Sequence, residues 1–159
     1  MGADRCADKV PLMITWLWGV KSVALLDVWS VEHVLSGLSI GLMVKKKNGL
    51  EIGLLLKRPH HTKCSVHFDL VGVSCAAYAW ETFEHYLETG LAGLRVEHWF
   101  MGVEMWGNRL IMDPLMLVLG YCIVTRYPRL VWPARIASAA WLTVHVLVFP
   151  NSMYLQKFL

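Results

Sequence analysis

The stretch VHFDLVGVSCAAYAWETFEHYLE, residues 66–88, decides the fold. A hydrocarbon core about 30 Å thick needs roughly 20 helical residues at 1.5 Å each, and this stretch meets that length. Its first two-thirds is mostly apolar, while its last turns gather Glu81, Glu84, His85 and Glu88. On a helix Glu81, Glu84 and Glu88 share one stripe that Ala77 and Ser74 continue, and His85 lies beside Glu81 at i, i+4. A carboxylate at membrane depth is costly unless it is paired, protonated or hydrated. The stripe therefore predicts a polar end turned into a helix bundle.

Outward from this segment, further apolar runs lie near 11–26, 28–44, 108–125 and 130–149. The chain has 159 residues, 56% hydrophobic and 17% charged, against roughly 25% charged in an ordinary soluble domain. Its mean hydropathy is +0.46. The expectation is an all-α fold, a polytopic membrane helix bundle of four or five transmembrane helices forming a single transmembrane domain over 1–159. The run at 11–26 is expected to span. Its alternative is to lie in the interface on Trp16 and Trp18, because Lys21 interrupts it. Pro128 and Pro133 punctuate the last turn. LEIGLLL at 50–56 is too short to cross and is expected on the membrane surface or tucked under the bundle.

Basic residues set the orientation. Lys45, Lys46, Lys47, Lys57, Arg58 and Lys63 follow the second run, and Arg126, Arg129 and Arg135 flank the turn after the fourth. Both regions fall on one side, which makes residues 45–65 cytoplasmic. The net charge of +3 is small and scattered beside apolar runs, so nucleic acid is excluded as a partner and the lipid bilayer is expected. The four cysteines, Cys6, Cys64, Cys75 and Cys122, have no metal spacing, and no disulfide framework is expected.

With that topology the polar residues fall in one outer layer. Asp27, Glu32 and His33 begin the second segment; Asn108, Arg109 and Asp113 begin the fourth; His145 lies near the outer end of the fifth. Glu97, His98 and Glu104 occupy the loop between. Arg109 and Asp113 stand at i, i+4 and are able to pair, while His33 heads a stripe through Gly37 and Gly41 whose G-x-x-x-G spacing admits a close neighbour. Three readings of the layer stay open: interhelical contacts alone, an aqueous acid–base or binding site, or a metal site from His33, Glu81, His85 and Asp113. The cofactor is unknown on this reading. There is no H-E-x-x-H or Glu-x-x-His spacing to specify one.

LDVWSVEHVLSG at 26–37 resembles the D-W-Y-T-x-S-H-I-x-H-G stretch of a family of small bacterial inner-membrane proteins of unknown function. AWETFEH at 79–85 is similar to that family's W-E-x-x-E-N helix, and NRLIMDPLMLVLGY at 108–121 to its N-S-x-x-D segment. The wider VanZ-like membrane proteins share the scheme of histidine, glutamate and aspartate on successive helices. The resemblance highlights Asp27, His33, Gly37, Trp80, Glu81, Glu84, Asp113 and Gly120. It implies a bacterial inner membrane and envelope or lipid-linked substrates. Ser36 and His85 depart from the pattern, standing where the family has histidine and asparagine.

The functional expectation is an outward-facing Glu/His/Asp pocket that binds or transforms an amphipathic envelope or lipid-type molecule. Glu81 and Glu84 are its acid–base pair, His33 the relay and Arg109 the anchor for an anionic headgroup, with Asp113 as a further catalytic carboxylate. Asp27, His85, Asn108 and His145 complete the binding set. The alternative is a non-catalytic subunit with membrane-protein partners in a larger complex.

Overall fold

The computed structural model describes residues 16–55, 66–100 and 102–148. Within them the fold is all-helical. α1 is Val28–Leu55, α2 is Val66–Glu88, and the short α3 is Leu94–Phe100. α4 runs Asn108–Arg126 and opens with a π-helical turn. A 3₁₀ turn at Pro128–Leu130 leads into α5, Val131–Thr143, which continues as a π-helical turn over Val144–Val148. α1 packs along α4, with α5 and α2 on its flanks.

α1 starts where Asp27 caps it. Asp27 Oδ1 accepts the amides of Trp29 at 2.8 Å and Ser30 at 3.1 Å, and Ser30 Oγ accepts the Asp27 amide at 3.2 Å. This reciprocal arrangement satisfies donors that an α-helix leaves without partners. The close crossing of α1 and α4 is set by glycine. A Cβ at Gly37 would lie 2.0 Å from the Leu117 carbonyl oxygen, and one at Gly120 would lie 2.3 Å from that of Val34. His33 is one turn from Gly37 and Asp113 two turns from Gly120, so this crossing brings both side chains to one level.

Polarity in the described residues is inverted relative to a water-soluble domain. Fifteen buried residues are polar or charged and eight are apolar. Meanwhile Phe68, Val71, Leu115, Leu119, Trp132, Ile136 and Leu147 are exposed. Charged groups are almost never fully buried in soluble proteins unless paired. One helix, Asn108–Arg126, is long and apolar enough to cross a membrane by length and composition.

Two local expectations are corrected. The helix near 11–26 does not reach 26, and residues 11–15 lie outside the described residues. The Leu26 amide donates to the Leu17 carbonyl at 2.9 Å and the Gly19 amide to the Leu26 carbonyl at 3.0 Å, closing residues 17–26 into a loop. Lys21 lies in that loop with its ammonium on Glu88, a partner it gains by leaving the helical path. The run at 50–55 is the last part of α1 rather than a separate surface segment. Lys45, Lys46 and Lys47 are good helix formers and carry the helix through.

Candidate functional site

The N-terminal ends of α1 and α4 and the C-terminal end of α2 enclose a buried layer of ionisable side chains. His33 Nε2 lies 3.3 Å from Asp113 Oδ2 and 3.5 Å from Glu81 Oε1. Glu81, Glu84, Asp113 and His33 are all buried. The Ser30 hydroxyl donates to Asp113 Oδ1 at 2.9 Å, so the α1 cap and the α4 carboxylate form one chain of contacts. The helix faces read from sequence account for this meeting: Glu81 and Glu84 share the inner stripe of α2, and Asp113 lies on the α4 face that α1 covers.

A second network, built on paired charges, adjoins the first. Glu88 holds Lys21 on one oxygen and Arg109 on the other, and its second oxygen also accepts the Glu104 amide at 3.2 Å. Arg109 lies 3.6 Å from Glu104 and 2.8 Å from His85 Nδ1. A guanidinium only donates, so His85 Nδ1 accepts and its ring hydrogen sits on Nε2. Asn108, fully buried, donates its amide to Glu104 Oε1 at 2.8 Å. Arg109 thus pairs with Glu88 and Glu104 instead of with Asp113, its neighbour at i, i+4. Hydrogen-bonded charges buried beside one another are held more firmly than an exposed pair.

The remaining expected residues flank this layer. Glu32 accepts a hydrogen bond from Ser138 of α5. His145 is buried with its ring edge-on to Trp29 at 4.9 Å. Asp27, at the mouth of the layer, has its carboxyl raised from 3.8 to about 6 by burial and then by the Asp113 charge, against its backbone hydrogen bonds and Lys21. Burial and the carboxylates of Asp113, Glu84, Asp27 and Glu81 likewise push Glu104 upward.

Two cavities border the layer. One, of about 300 Å³, has walls of Ile40, Ala76, Trp80, Leu117 and Leu142 and ends on Glu32 and His33. The other, of about 400 Å³, lies between Tyr78, Trp106 and Leu110 and reaches Glu81, Glu104 and Arg109. A mostly apolar cleft with a few convergent polar groups is the usual form of a small-molecule site.

Sequence reasoning placed His33, Glu81, Glu84 and Asp113 in one layer, and the structure brings these four together. The metal group expected from sequence, His33, Glu81, His85 and Asp113, does not come together as one set. Donor atoms of His33, Glu81 and Glu84 lie within 4.8 Å of one another, as do those of Glu81, Glu104 and Asp113, while His85 faces Arg109. Lys21 and the anchoring role of Glu88 were missed. The signal was present: a lysine interrupting an apolar run requires a buried carboxylate partner. No family model matches the chain, and comparison with curated proteins and with solved structures returned no match.

Proposed function

We propose that this chain is a multi-pass α-helical protein of a bacterial inner membrane, with residues 45–65 cytoplasmic. It binds or transforms an amphipathic envelope or lipid-type molecule in a pocket reached from the outer side. The cavity ending on Glu32 and His33 carries this reading. Its apolar length suits an acyl chain, and its polar end abuts the layer of His33, Glu81, Glu84 and Asp113.

The inverted polarity supports the membrane setting. Exposed Phe68, Val71, Ile136 and Leu147 face lipid at no loss, whereas in water an extended apolar surface of this kind drives association. The carboxylates that lower the hydropathy of α2 point inward, which is where a spanning helix must keep them. Arg109, held by Glu88 and Glu104, acts in this reading as the lock of the outer wall and presents only one edge to the second cavity.

Native mass spectrometry of the full chain after extensive detergent washing tests the proposal. One lipid-type molecule per chain is expected to stay bound in the wild type. Ala76→Trp and Ser36→Trp, which fill the cavity, are expected to release it while helical circular dichroism is unchanged. A wild type that washes clean, or filled variants that retain the same lipid, overturns the reading. An obligatory protein partner in the same spectra would favour the accessory-subunit alternative.

A further inference from the structure

The buried layer carries more negative charge than the protein neutralises. Lys21 and Arg109 are matched by Glu88 and Glu104. Asp27 engages the first amides of α1, and Glu32 accepts from Ser138. Glu81, Glu84 and Asp113 remain, all buried, around the single imidazole of His33.

Glu81 is the residue that points to a ligand. It is 1% exposed, and neither of its carboxylate oxygens has a hydrogen-bond partner. Asp113 Oδ2 and Glu104 Oε2 also accept no hydrogen bond, but each faces a cationic or imidazole nitrogen, His33 Nε2 at 3.3 Å and Arg109 at 3.6 Å. Buried charges are ordinarily paired or coordinate a metal. Here the unpartnered oxygens converge with an imidazole, since donors of His33, Glu81 and Glu84 lie within 4.8 Å of one another.

We propose that His33, Glu81 and Glu84 are ligands of a divalent transition-metal cation, whose two charges the carboxylates of Glu81 and Glu84 balance. Bonds of roughly 2.0–2.2 Å to a common ion require the donors to close by about an ångström, a rotamer-scale adjustment. One imidazole among carboxylates suits Zn²⁺ or Mn²⁺, whereas Ca²⁺ and Mg²⁺ prefer all-oxygen shells. Glu81 belongs to both converging groups, so its loss disables either. Such an ion polarises a phosphoryl or carbonyl oxygen or activates water, the chemistry an amphipath with a polar head would meet here. The inference takes the centre's purpose from the proposed function, but its occupancy from geometry alone.

The test uses the full chain in mild detergent, stripped with chelator and then titrated separately with Zn²⁺, Mn²⁺ and Mg²⁺. Bound metal is measured by mass spectrometry and unfolding by tryptophan fluorescence. Zn²⁺ or Mn²⁺ is expected to be retained and to raise the apparent Tm by about 5–10 °C at a hundredfold excess over Kd. Glu81→Gln and Glu84→Gln should abolish both effects. Stripped Glu81→Gln should be at least as stable as the stripped wild type, because it removes an uncompensated buried charge, so loss of folding does not mimic the result. Asp69→Asn, at the opposite end of α2, should retain the metal. No retained metal with an unchanged Tm, a response to Mg²⁺ alone, or full retention by Glu81→Gln overturns the proposal. Lipid retained without metal defeats this inference alone; metal retained without lipid defeats the amphipath reading alone.

Discussion

Tyr78 of α2 donates its hydroxyl to the carbonyl oxygen of Leu110 at 3.0 Å, across the crossing with α4. Pro114, four residues after Leu110, has no N–H to offer that carbonyl in an α-helical turn. The bond gives that carbonyl a side-chain donor where the proline withholds an α-helical one, just beside Asp113. It ties the site-bearing turn of α4 to α2.

Tyr78→Phe is accordingly expected to destabilise the protein by about 1 kcal/mol, the usual net contribution of one hydrogen bond. Pro114→Ala restores an amide to the helix and should reduce the effect of Tyr78→Phe in the double variant. Thermal unfolding of the two single variants and the double variant gives the coupling directly. Additive effects would show that the proline and the tyrosine are unrelated.

The glycine crossing should tolerate no side chain. Gly37→Ala places a methyl against the Leu117 carbonyl and Gly120→Ala places one against that of Val34. Because the obstacle is backbone, the helices must separate, at about 1–3 kcal/mol or more. The separation also moves His33 away from Asp113. Unfolding midpoints should fall for both variants, and a Gly41→Ala variant, whose neighbours are the ring of Tyr121 and a Val124 methyl, should fall less.

The four long helices were legible because runs near 28–44, 66–88, 108–125 and 130–149 are apolar and bounded by polar or breaking residues. His33, Glu81, Glu84 and Asp113 were legible as one layer because helix periodicity fixes both face and depth. Gly37 and Gly41 announced the close crossing. What could not be read was anything contributed by irregular backbone. The loop at 17–26 carries Lys21 to Glu88, and residues 102–107 carry Glu104 beside Arg109, and no period predicts either path. Arg109 was legible as able to pair with Asp113, since i, i+4 neighbours are the pairs a sequence shows; its tertiary partners Glu88 and Glu104 were not.

Asp27 gives a pH dependence with a definite sign. Its folded pKa is raised from 3.8 to about 6, so the folded state binds the proton more tightly than the unfolded chain. Its favourable contribution is full below 3.8 and is lost as pH rises to about 6. The change is on the order of 2–3 kcal/mol. Asp27→Asn keeps an acceptor for the α1 amides but cannot ionise, so it should lose this slope and match or exceed wild-type stability above pH 6. Asp27→Ala loses the cap and should be about 1 kcal/mol less stable than Asp27→Asn at every pH. Unfolding midpoints measured from pH 4 to 8 distinguish the three, and a wild type whose profile parallels that of Asp27→Asn would contradict the assignment.

The decisive measurement is site-directed labelling of the full chain in spheroplasts, with Cys6, Cys64, Cys75 and Cys122 replaced. A membrane-impermeant maleimide is applied to Ala92→Cys, in the exposed turn after α2, and to Lys46→Cys, on the exposed basic face of α1. An outward-opening bundle predicts that Ala92→Cys reacts in intact spheroplasts and Lys46→Cys only after permeabilisation. Labelling of Lys46→Cys from outside, or recovery of the chain in the soluble fraction, would contradict it.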